Sequence, residues 1–363
     1  MTLSDGSAPA TAAGGNAAGT NMAQDVAGPS PASAAGRGAL RRLPRRTAGE
    51  RAHTLGSRYP LLGVWVLMIV IYGAIMPHKF LSLSTVQAIA GSQSALLFLS
   101  IAALCTLVVG EFDLSFASVM GLSATIIPVM SGQHGVNIAV SCLVAAGAAI
   151  AGGLLNAFFI VALRVPSLIV TLGTASLFLG ISELISGENT ISVSSQAFSN
   201  IAIHTVIGLP LSFYYGLALC LGFGYFLAWT PAGRHVIFVG SNREVARLAG
   251  IRVDRVRALS YIAASIVACL AGIILVASVG GFDPTGEQSY LLPALAAVFL
   301  GTAIVTPGQF NPMGTFFGIF FLETGILGLQ LLGYSSWVQD AFYGAGLVLA
   351  VTIASMIRRT RTA

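Results

Sequence analysis

The chain alternates long apolar runs with short polar connections. Each run approaches the roughly 20 residues that an α-helix needs to cross a hydrocarbon core about 30 Å thick. The runs lack the apolar–polar alternation of barrel strands, which favours helices as the spanning elements. We therefore predict an all-α polytopic membrane protein with about ten transmembrane helices. The predicted spans are 59–76, 85–109, 114–131, 137–162, 167–185, 211–229, 258–280, 290–305, 312–332 and 337–357.

Composition agrees with this pattern. Hydrophobic residues make up 55% of the chain and charged residues only 9%, with a mean hydropathy of +0.85, which excludes an ordinary soluble domain. The 42 glycines predict close approach between helices. The four cysteines stand singly in apolar segments, without the spacing of a metal site. We predict no metal, no cofactor and no catalytic residue.

The basic residues indicate the orientation of the predicted helices. With ten spans, both termini lie in the cytoplasm, and 17 of the 18 Lys and Arg side chains lie on that side; Lys79 is the exception. This asymmetry follows the positive-inside rule, so the net charge of +5 gives no reason to predict nucleic-acid binding. The predicted location is a bacterial inner membrane. Outside the membrane, Glu188, Asp283 and Glu287 are candidates for an acidic docking surface, or simply solvated loop residues.

Three regions follow from composition. Residues 1–58 are rich in Ala, Gly, Ser and Pro and end in an Arg-rich stretch, which predicts a disordered cytoplasmic tail with attraction to anionic membrane lipids. Residues 59–357 form the predicted membrane domain, with a charged cytoplasmic loop at 230–257. Residues 358–363 form a short basic tail.

The charged loop contains six arginines. Within it, Ser241 and Glu244 have the spacing of a capping box, and Gly250 is suited to end a helix in the left-handed conformation. We predict a short helix at 242–249, with Asp254 capping the next span. Such a helix could bind a partner protein or lie on the lipid surface.

Several polar residues fall within or beside the predicted spans. Ionisable groups there are expensive, so Glu111 and Asp113 are candidates for the translocation path; they could equally cap the third span. Uncharged groups could hydrogen-bond a neutral solute, or hold helices together. The uncharged path candidates are Asn156, Ser167, Thr171 and Thr174.

The chain contains no G-x-x-x-x-G-K-[ST] motif, so we do not expect it to hydrolyse ATP by that route. An ATP-driven transporter would need a separate ATPase subunit. An ion-coupled secondary transporter is the alternative, with Asp113 as the coupling acid. A passive channel is a third class, and the short capped helix does not favour it.

Four stretches together resemble the permease subunits of ABC importers of the ribose/xylose type. The first is Gly110-Glu111-Phe112-Asp113-Leu114-Ser115, and the second runs from Asn156 through residues 164–174. The third is the charged loop, and the fourth is residues 332–339. The resemblance covers about residues 85–357. Glu111 departs from the family pattern, in which glycine is commonest, and residues 301–310 lack its Gly-rich run.

The resemblance implies a permease subunit of an ATP-driven importer of a small neutral polar solute, such as a monosaccharide. Its implied partners are cytoplasmic ABC ATPase subunits, an extracytoplasmic solute-binding protein and a second permease, either a copy or a sister chain. It also implies that the loop helix couples the permease to the ATPase. The implied coupling residues are Ser241, Asn242, Arg243, Glu244, Val245, Ala246, Arg247, Leu248, Ala249 and Gly250.

Overall fold

A computed structural model describes residues 60–305 and 308–362, with side chains described between residues 61 and 352. The predicted tail at 1–58 lies outside the described residues. Its counterpart at 358–363 is described only as helical backbone, up to residue 362. The disorder predicted for the first segment therefore stays a prediction.

The described chain is almost entirely helical, as the apolar runs predicted. Eight helical segments are long and apolar enough to cross a membrane, and Leu61–Ile75 is a shorter apolar helix. The main helices are α1 (Pro60–Ile75), α2 (Pro77–Phe80), α3 (Leu83–Leu107), α4 (Phe116–Pro128), α5 (Ile138–Ala157), α6 (Ser167–Ser186), α7 (Gln196–Ile203), α8 (Leu211–Trp229), α9 (Pro231–Ser241), α10 (Arg243–Leu248), α11 (Val253–Val279), α12 (Gln288–Ile304), α13 (Pro312–Leu331) and α14 (Trp337–Thr362).

Helix α3 lies at the centre of the bundle. Every residue from 93 to 107 is buried, as expected of a helix that is apolar on all sides. It packs against α8, α11, α12 and α13. Helix α4 is also buried along its whole length and packs against α5, α6 and α11. Helix α4 and the 93–107 part of α3 therefore have protein on every side.

The connection between α3 and α4 is a break in the helical backbone. Residues 108–115 form no regular helix, and Gly110 adopts a left-handed conformation with φ of +78° that few other residues tolerate. Val109, Glu111, Asp113 and Ser115 of the broken segment are buried, whereas Gly110 and Phe112 are exposed, so about half of the segment lies inside the protein, where backbone groups need partners.

Short strands organise the opposite end of the bundle. Strand β1 (Ile191–Ser192) pairs antiparallel with β4 (Gly281–Phe282), and β2 (Thr205–Val206) pairs with β3 (Leu209–Pro210). A 3₁₀ turn at Pro284–Glu287 then leads into α12. The segments predicted as external loops are thus ordered, because main-chain pairing joins connections that are distant in sequence.

The charged segment at 230–257 is more helical than we predicted. It contains α9, α10 and the first turn of α11, which begins at Val253 rather than at 258. Thr230 starts α9, since its hydroxyl accepts a hydrogen bond from the Gly233 amide at 3.0 Å. A helix satisfies its own backbone groups, so α11 can extend beyond its apolar stretch.

Glycines allow several helices to approach closely, which confirms the expectation from their number. In α11, Gly272 faces the backbone of α4: a Cβ at this position would come within 2.7 Å of the Met120 carbonyl oxygen. Gly301 of α12 and Gly314 of α13 face each other in the same way. Such contacts replace side-chain volume with backbone packing, the usual mode of membrane helix association.

We predict that Gly272→Ala destabilises the protein by about 1–3 kcal/mol, because the added methyl must push α11 away from α4. Gly147→Ala is the matched control, since a Cβ at Gly147 meets no atom within 4 Å. Thermal unfolding of both variants in the same detergent measures the difference. Equal melting temperatures would contradict the close α4–α11 contact.

Candidate coupling site and polar network

Helix α10 is capped by a different residue from the one we predicted. The Asn242 side-chain oxygen accepts hydrogen bonds from the amides of Glu244 and Val245, both at 3.0 Å. Ser241 instead ends α9 and donates its hydroxyl to the Ile237 carbonyl at 3.0 Å. The predicted Ser241–Glu244 capping box is therefore wrong. Because α9 continues through Ser241, that residue is helical and only Asn242 has the extended backbone of a cap.

The end of α10 agrees better with the prediction from the sequence. Gly250 has a φ of +82°, which confirms its predicted left-handed conformation. The predicted cap of the next helix is wrong: Arg252 precedes α11, while Asp254 lies in its first turn. The Asp254 carboxylate lies 3.5 Å from the Arg247 guanidinium, an exposed ion pair that links α10 to α11.

A small apolar core attaches α9 and α10 to the end of α3. Its buried members are Val109, Val239, Ala246 and Val253. Gly240 strengthens the attachment, because a Cβ at this position would overlap the Val108 carbonyl oxygen. Backbone thus rests directly on backbone, and α9 cannot move without displacing the end of α3.

Glu111 forms the shortest ion pairs in this region. Its Oε1 lies 2.8 Å from Arg243 Nη2 and 2.6 Å from Arg257 Nε, and its Oε2 accepts from the Tyr261 hydroxyl at 3.2 Å. The Glu111 side chain is only 4% exposed. Two guanidinium groups and a phenol thus hold one buried carboxylate, which joins α10 and α11 to the broken segment after α3.

The main chain of that segment is held as well. Arg243 Nη2 donates to the Gly110 carbonyl oxygen at 2.8 Å. One arginine at the start of α10 therefore contacts both the backbone of the break and the carboxylate that follows it. Such charge-assisted hydrogen bonds are shorter and stronger than neutral ones.

Asp113 belongs to a second network of buried polar groups. Its Oδ1 accepts from the Ser115 amide at 2.8 Å and from the Ser115 hydroxyl at 2.7 Å. The Ser115 hydroxyl in turn accepts from Asn156 Nδ2 at 2.7 Å, and Thr174 donates to Asn156 Oδ1 at 2.8 Å. Burial raises the pKa of Asp113, while the two hydrogen bonds from Ser115 oppose that shift.

The network continues along α6. The Thr174 hydroxyl also lies 3.3 Å from the Thr171 carbonyl oxygen, and the Thr171 hydroxyl donates to the Ser167 carbonyl at 2.9 Å. The structure therefore brings five of the six path candidates into one connected group. The sixth, Glu111, lies instead in the ion-pair cluster with Arg243 and Arg257. Whether any of them contacts solute stays a prediction.

The outward surface of α10 has few contacts with the rest of the chain. We define the α10 surface as Glu244, Val245, Arg247 and Leu248, all of them exposed. Leu248 is 88% exposed although it is a large apolar side chain. Among the described residues, no group of three or more His, Cys, Asp or Glu side chains could hold a metal ion.

Sequence reasoning missed the partners of Glu111. Arg257 lies 146 positions away and Tyr261 lies 150 positions away, so no local pattern joins them. The sequence offered one signal. Arg257 is the last charged residue before one long apolar run, and Glu111 is the acid that follows another. That placement alone does not specify which helices are neighbours.

Residues 85–351 match the family described as the permease component of branched-chain amino acid transport systems. The chain belongs to this permease family. The permease is a multi-pass protein of the inner membrane and is a transport subunit of the ABC importer class, as the sequence resemblance implied.

Two curated relatives cover most of the permease. The autoinducer 2 import system permease protein LsrD of Escherichia coli K12 is 32% identical over 305 residues, which span 82% of this chain and 91% of LsrD. LsrC of Photorhabdus luminescens, a permease protein of the same kind of system, is 29% identical over 291 residues, or 79% of this chain and 87% of LsrC. No solved structure is significantly similar to the permease.

We predict that Glu111→Gln destabilises the permease by about 3 kcal/mol or more, because it leaves the mostly buried Arg257 with only the exposed Asp254, 3.9 Å away, as a charged partner. Asp254→Asn is the control: Asp254 is 56% exposed, and exposed pairs contribute about 1 kcal/mol or less. Denaturation in detergent at one pH and salt concentration compares the two. A loss no larger for Glu111→Gln than for Asp254→Asn would contradict the bracing role of Glu111.

Proposed function

We propose that the α10 surface is the docking site of a cytoplasmic ABC ATPase subunit. The arginine-rich end of the bundle faces the cytoplasm in this proposal, in accordance with the positive-inside rule. The observation that carries the proposal is an exposed apolar residue, Leu248, on a short helix that is otherwise firmly braced. Exposed apolar patches rimmed by polar residues are typical of protein interfaces, and Leu248 and Val245 form a small patch of this kind beside Glu244 and Arg247.

The contacts of Arg243 with the broken segment provide a route by which movement of the ATPase reaches the membrane helices. A displacement of α10 pulls on Arg243, which holds both Gly110 and Glu111. The broken segment then moves with α10, and with it Asp113 and Ser115 at the start of α4. Ser115 passes the displacement to α5 and α6 through Asn156 and Thr174. A rigid linkage of this kind suits a two-state transporter.

The solute that we propose is small, neutral and rich in hydroxyl groups, such as a monosaccharide. Two observations support this class. The path candidates Asn156, Ser167, Thr171 and Thr174 carry hydrogen-bonding groups without charge, and both relatives described above belong to autoinducer 2 import systems. The complex would include a solute-binding protein outside the membrane and a second permease, either a copy or a sister chain.

Ion-coupled transport is the alternative to an ATP-driven importer. It would need a membrane acid free to bind and release the coupling ion. Asp113, the acid expected for that role, already accepts two hydrogen bonds from Ser115, an arrangement that suits a turn before α4. Its geometry therefore does not support the coupling role expected of Asp113.

The test is co-purification of the tagged permease from membranes in mild detergent, with mass spectrometry of the bound proteins. We expect an ATPase with a P-loop motif to co-purify with the unmodified chain. Leu248→Glu should lower its recovery about tenfold or more, because a charge would replace the exposed apolar centre of the contact.

Ile207→Glu is the matched control, since Ile207 is 93% exposed but lies in the β2–β3 turn at the opposite end. This variant should retain the ATPase. Recovery of the ATPase with Leu248→Glu at the level of the unmodified chain would contradict the docking site. A permease that purifies alone and transports without ATP would contradict the whole proposal.

A further inference from the structure

A cavity of about 160 Å³ lies between α4, α6 and the start of α12. It is separate from the α10 surface and was not predicted from the sequence. Leucine side chains form much of its wall, including Leu114, Leu172 and Leu179. Its polar lining includes Ser118, Ser176, Gln288 and Glu287. A mainly apolar cavity with a few polar groups in fixed positions is the usual form of a small-molecule site.

Glu287 is the charged residue of this lining. Its residue exposure is 1%, so the expectation that it forms part of an external docking surface is wrong: the 3₁₀ turn before α12 directs it inward. Its Oε1 accepts a hydrogen bond from the Ser118 hydroxyl at 2.6 Å. Among the described residues, its Oε2 has no hydrogen-bond partner.

The fold makes room for this side chain. Gly121 of α4 lies against Glu287, and a Cβ at Gly121 would overlap the carboxylate. Ser118 lies one helical turn before Gly121 and supplies the hydrogen bond. The two α4 residues thus accept a carboxylate from a segment 169 positions away in sequence, although burial of an acid with an unsatisfied oxygen is costly.

Glu287 indicates what the cavity can bind once movement of α4 uncovers its free oxygen, which is shielded against Gly121 in this structure. No lysine or arginine lines the cavity, and the other acid that acts on Glu287 is Glu183. The lining therefore offers an anionic solute no cationic partner. Hydroxyl groups donate readily to a carboxylate oxygen, while the leucines can contact the C–H groups of a sugar ring.

We propose that Glu287, held by Ser118, binds a hydroxyl group of a neutral polyhydroxylated solute during transport. This inference rests on the proposed function, since it names a solute-binding residue of the same importer. It also links binding to the ATPase: Leu114 lines the cavity and lies between Asp113 and Ser115 in the network described above. Movement of the broken segment would therefore reshape the cavity wall.

The test combines a protein change with a solute change. Uptake is measured in membrane vesicles containing the full transport complex, with labelled ribose, xylose and autoinducer 2 as probes. For the probe with the fastest ATP-dependent uptake, analogues that each lack one hydroxyl are compared in the unmodified permease and in Glu287→Ala. Both permeases receive solute from the same solute-binding protein. Its preference therefore cancels when the loss of uptake caused by removing a hydroxyl is compared between the unmodified permease and Glu287→Ala.

In the unmodified permease, we expect removal of the hydroxyl bound by Glu287 to lower uptake about tenfold or more, because the carboxylate is left without its donor. In Glu287→Ala, removal of the same hydroxyl should cause little further loss. Ser118→Ala should weaken the discrimination less than Glu287→Ala does. Glu188→Gln, which removes an exposed acid just before β1, should discriminate like the unmodified permease.

Recovery of the co-purified ATPase and its basal hydrolysis serve as controls for folding and assembly. If Glu287→Ala assembles poorly, Glu287→Gln preserves the size of the side chain and replaces it in the same comparison. Unchanged discrimination against every analogue in an assembled Glu287 variant would overturn this inference and leave the proposed function intact. Absence of ATP-dependent uptake of all three probes by the unmodified complex would overturn both.

Discussion

The buried carboxylate of Glu111 holds together the parts of the permease that meet at its arginine-rich end. Arg243 approaches it from α10, and Arg257 and Tyr261 approach it from α11. All three partners are distant from Glu111 in the sequence. Because the carboxylate is shielded from water, loss of any partner would leave a buried charge incompletely balanced. This cluster therefore limits how far the end of α3, α10 and α11 can move independently.

The break between α3 and α4 gives that cluster its mechanical importance. An unbroken helix would satisfy its own backbone hydrogen bonds. The broken segment instead leaves the Gly110 carbonyl available to Arg243, and it carries two acids, Glu111 and Asp113. Glu111 turns towards the charged helices, whereas Asp113 turns towards Ser115 and the polar side chains of α5 and α6. One short segment thus contacts both the surface proposed for the ATPase and the network proposed for the solute path.

Polar groups in the membrane domain follow one physical rule. In a water-poor environment, each buried donor or acceptor needs a partner, and serine and threonine side chains here commonly donate to carbonyls four residues earlier, as Ser94, Ser123 and Thr125 do. Ser115, Asn156 and Thr174 instead bond across helices. Glu287 is a further exception, because one of its oxygens has no partner among the described residues. Ser100 Oγ likewise has no partner among the described residues, so the exception at Glu287 gains meaning only from the cavity that it lines.

Local patterns in the chain were sufficient to determine the class of fold and the position of most helices. Continuous apolar runs predicted the spanning helices, the glycine content predicted close helix contacts, and Gly250 was correctly placed at the end of α10. Residues 110–115 and the charged loop were singled out as candidates for the path and for coupling. Each of these properties depends on neighbours within a few positions, where periodicity, capping preferences and charge can be read directly.

Tertiary structure decided which distant residues meet. The pairing of Glu111 with Arg257, the connection of Asp113 through Ser115 and Asn156 to Thr174, and the burial of Glu287 against Ser118 all depend on which helices are neighbours. Apolar periodicity cannot specify those neighbours, because many arrangements bury the same apolar surface equally well. The choice between Ser241 and Asn242 as a cap also depended on context, since the end of α9 had to rest against Val108. The sequence by itself therefore determined the kind of protein, while helix packing decided the site.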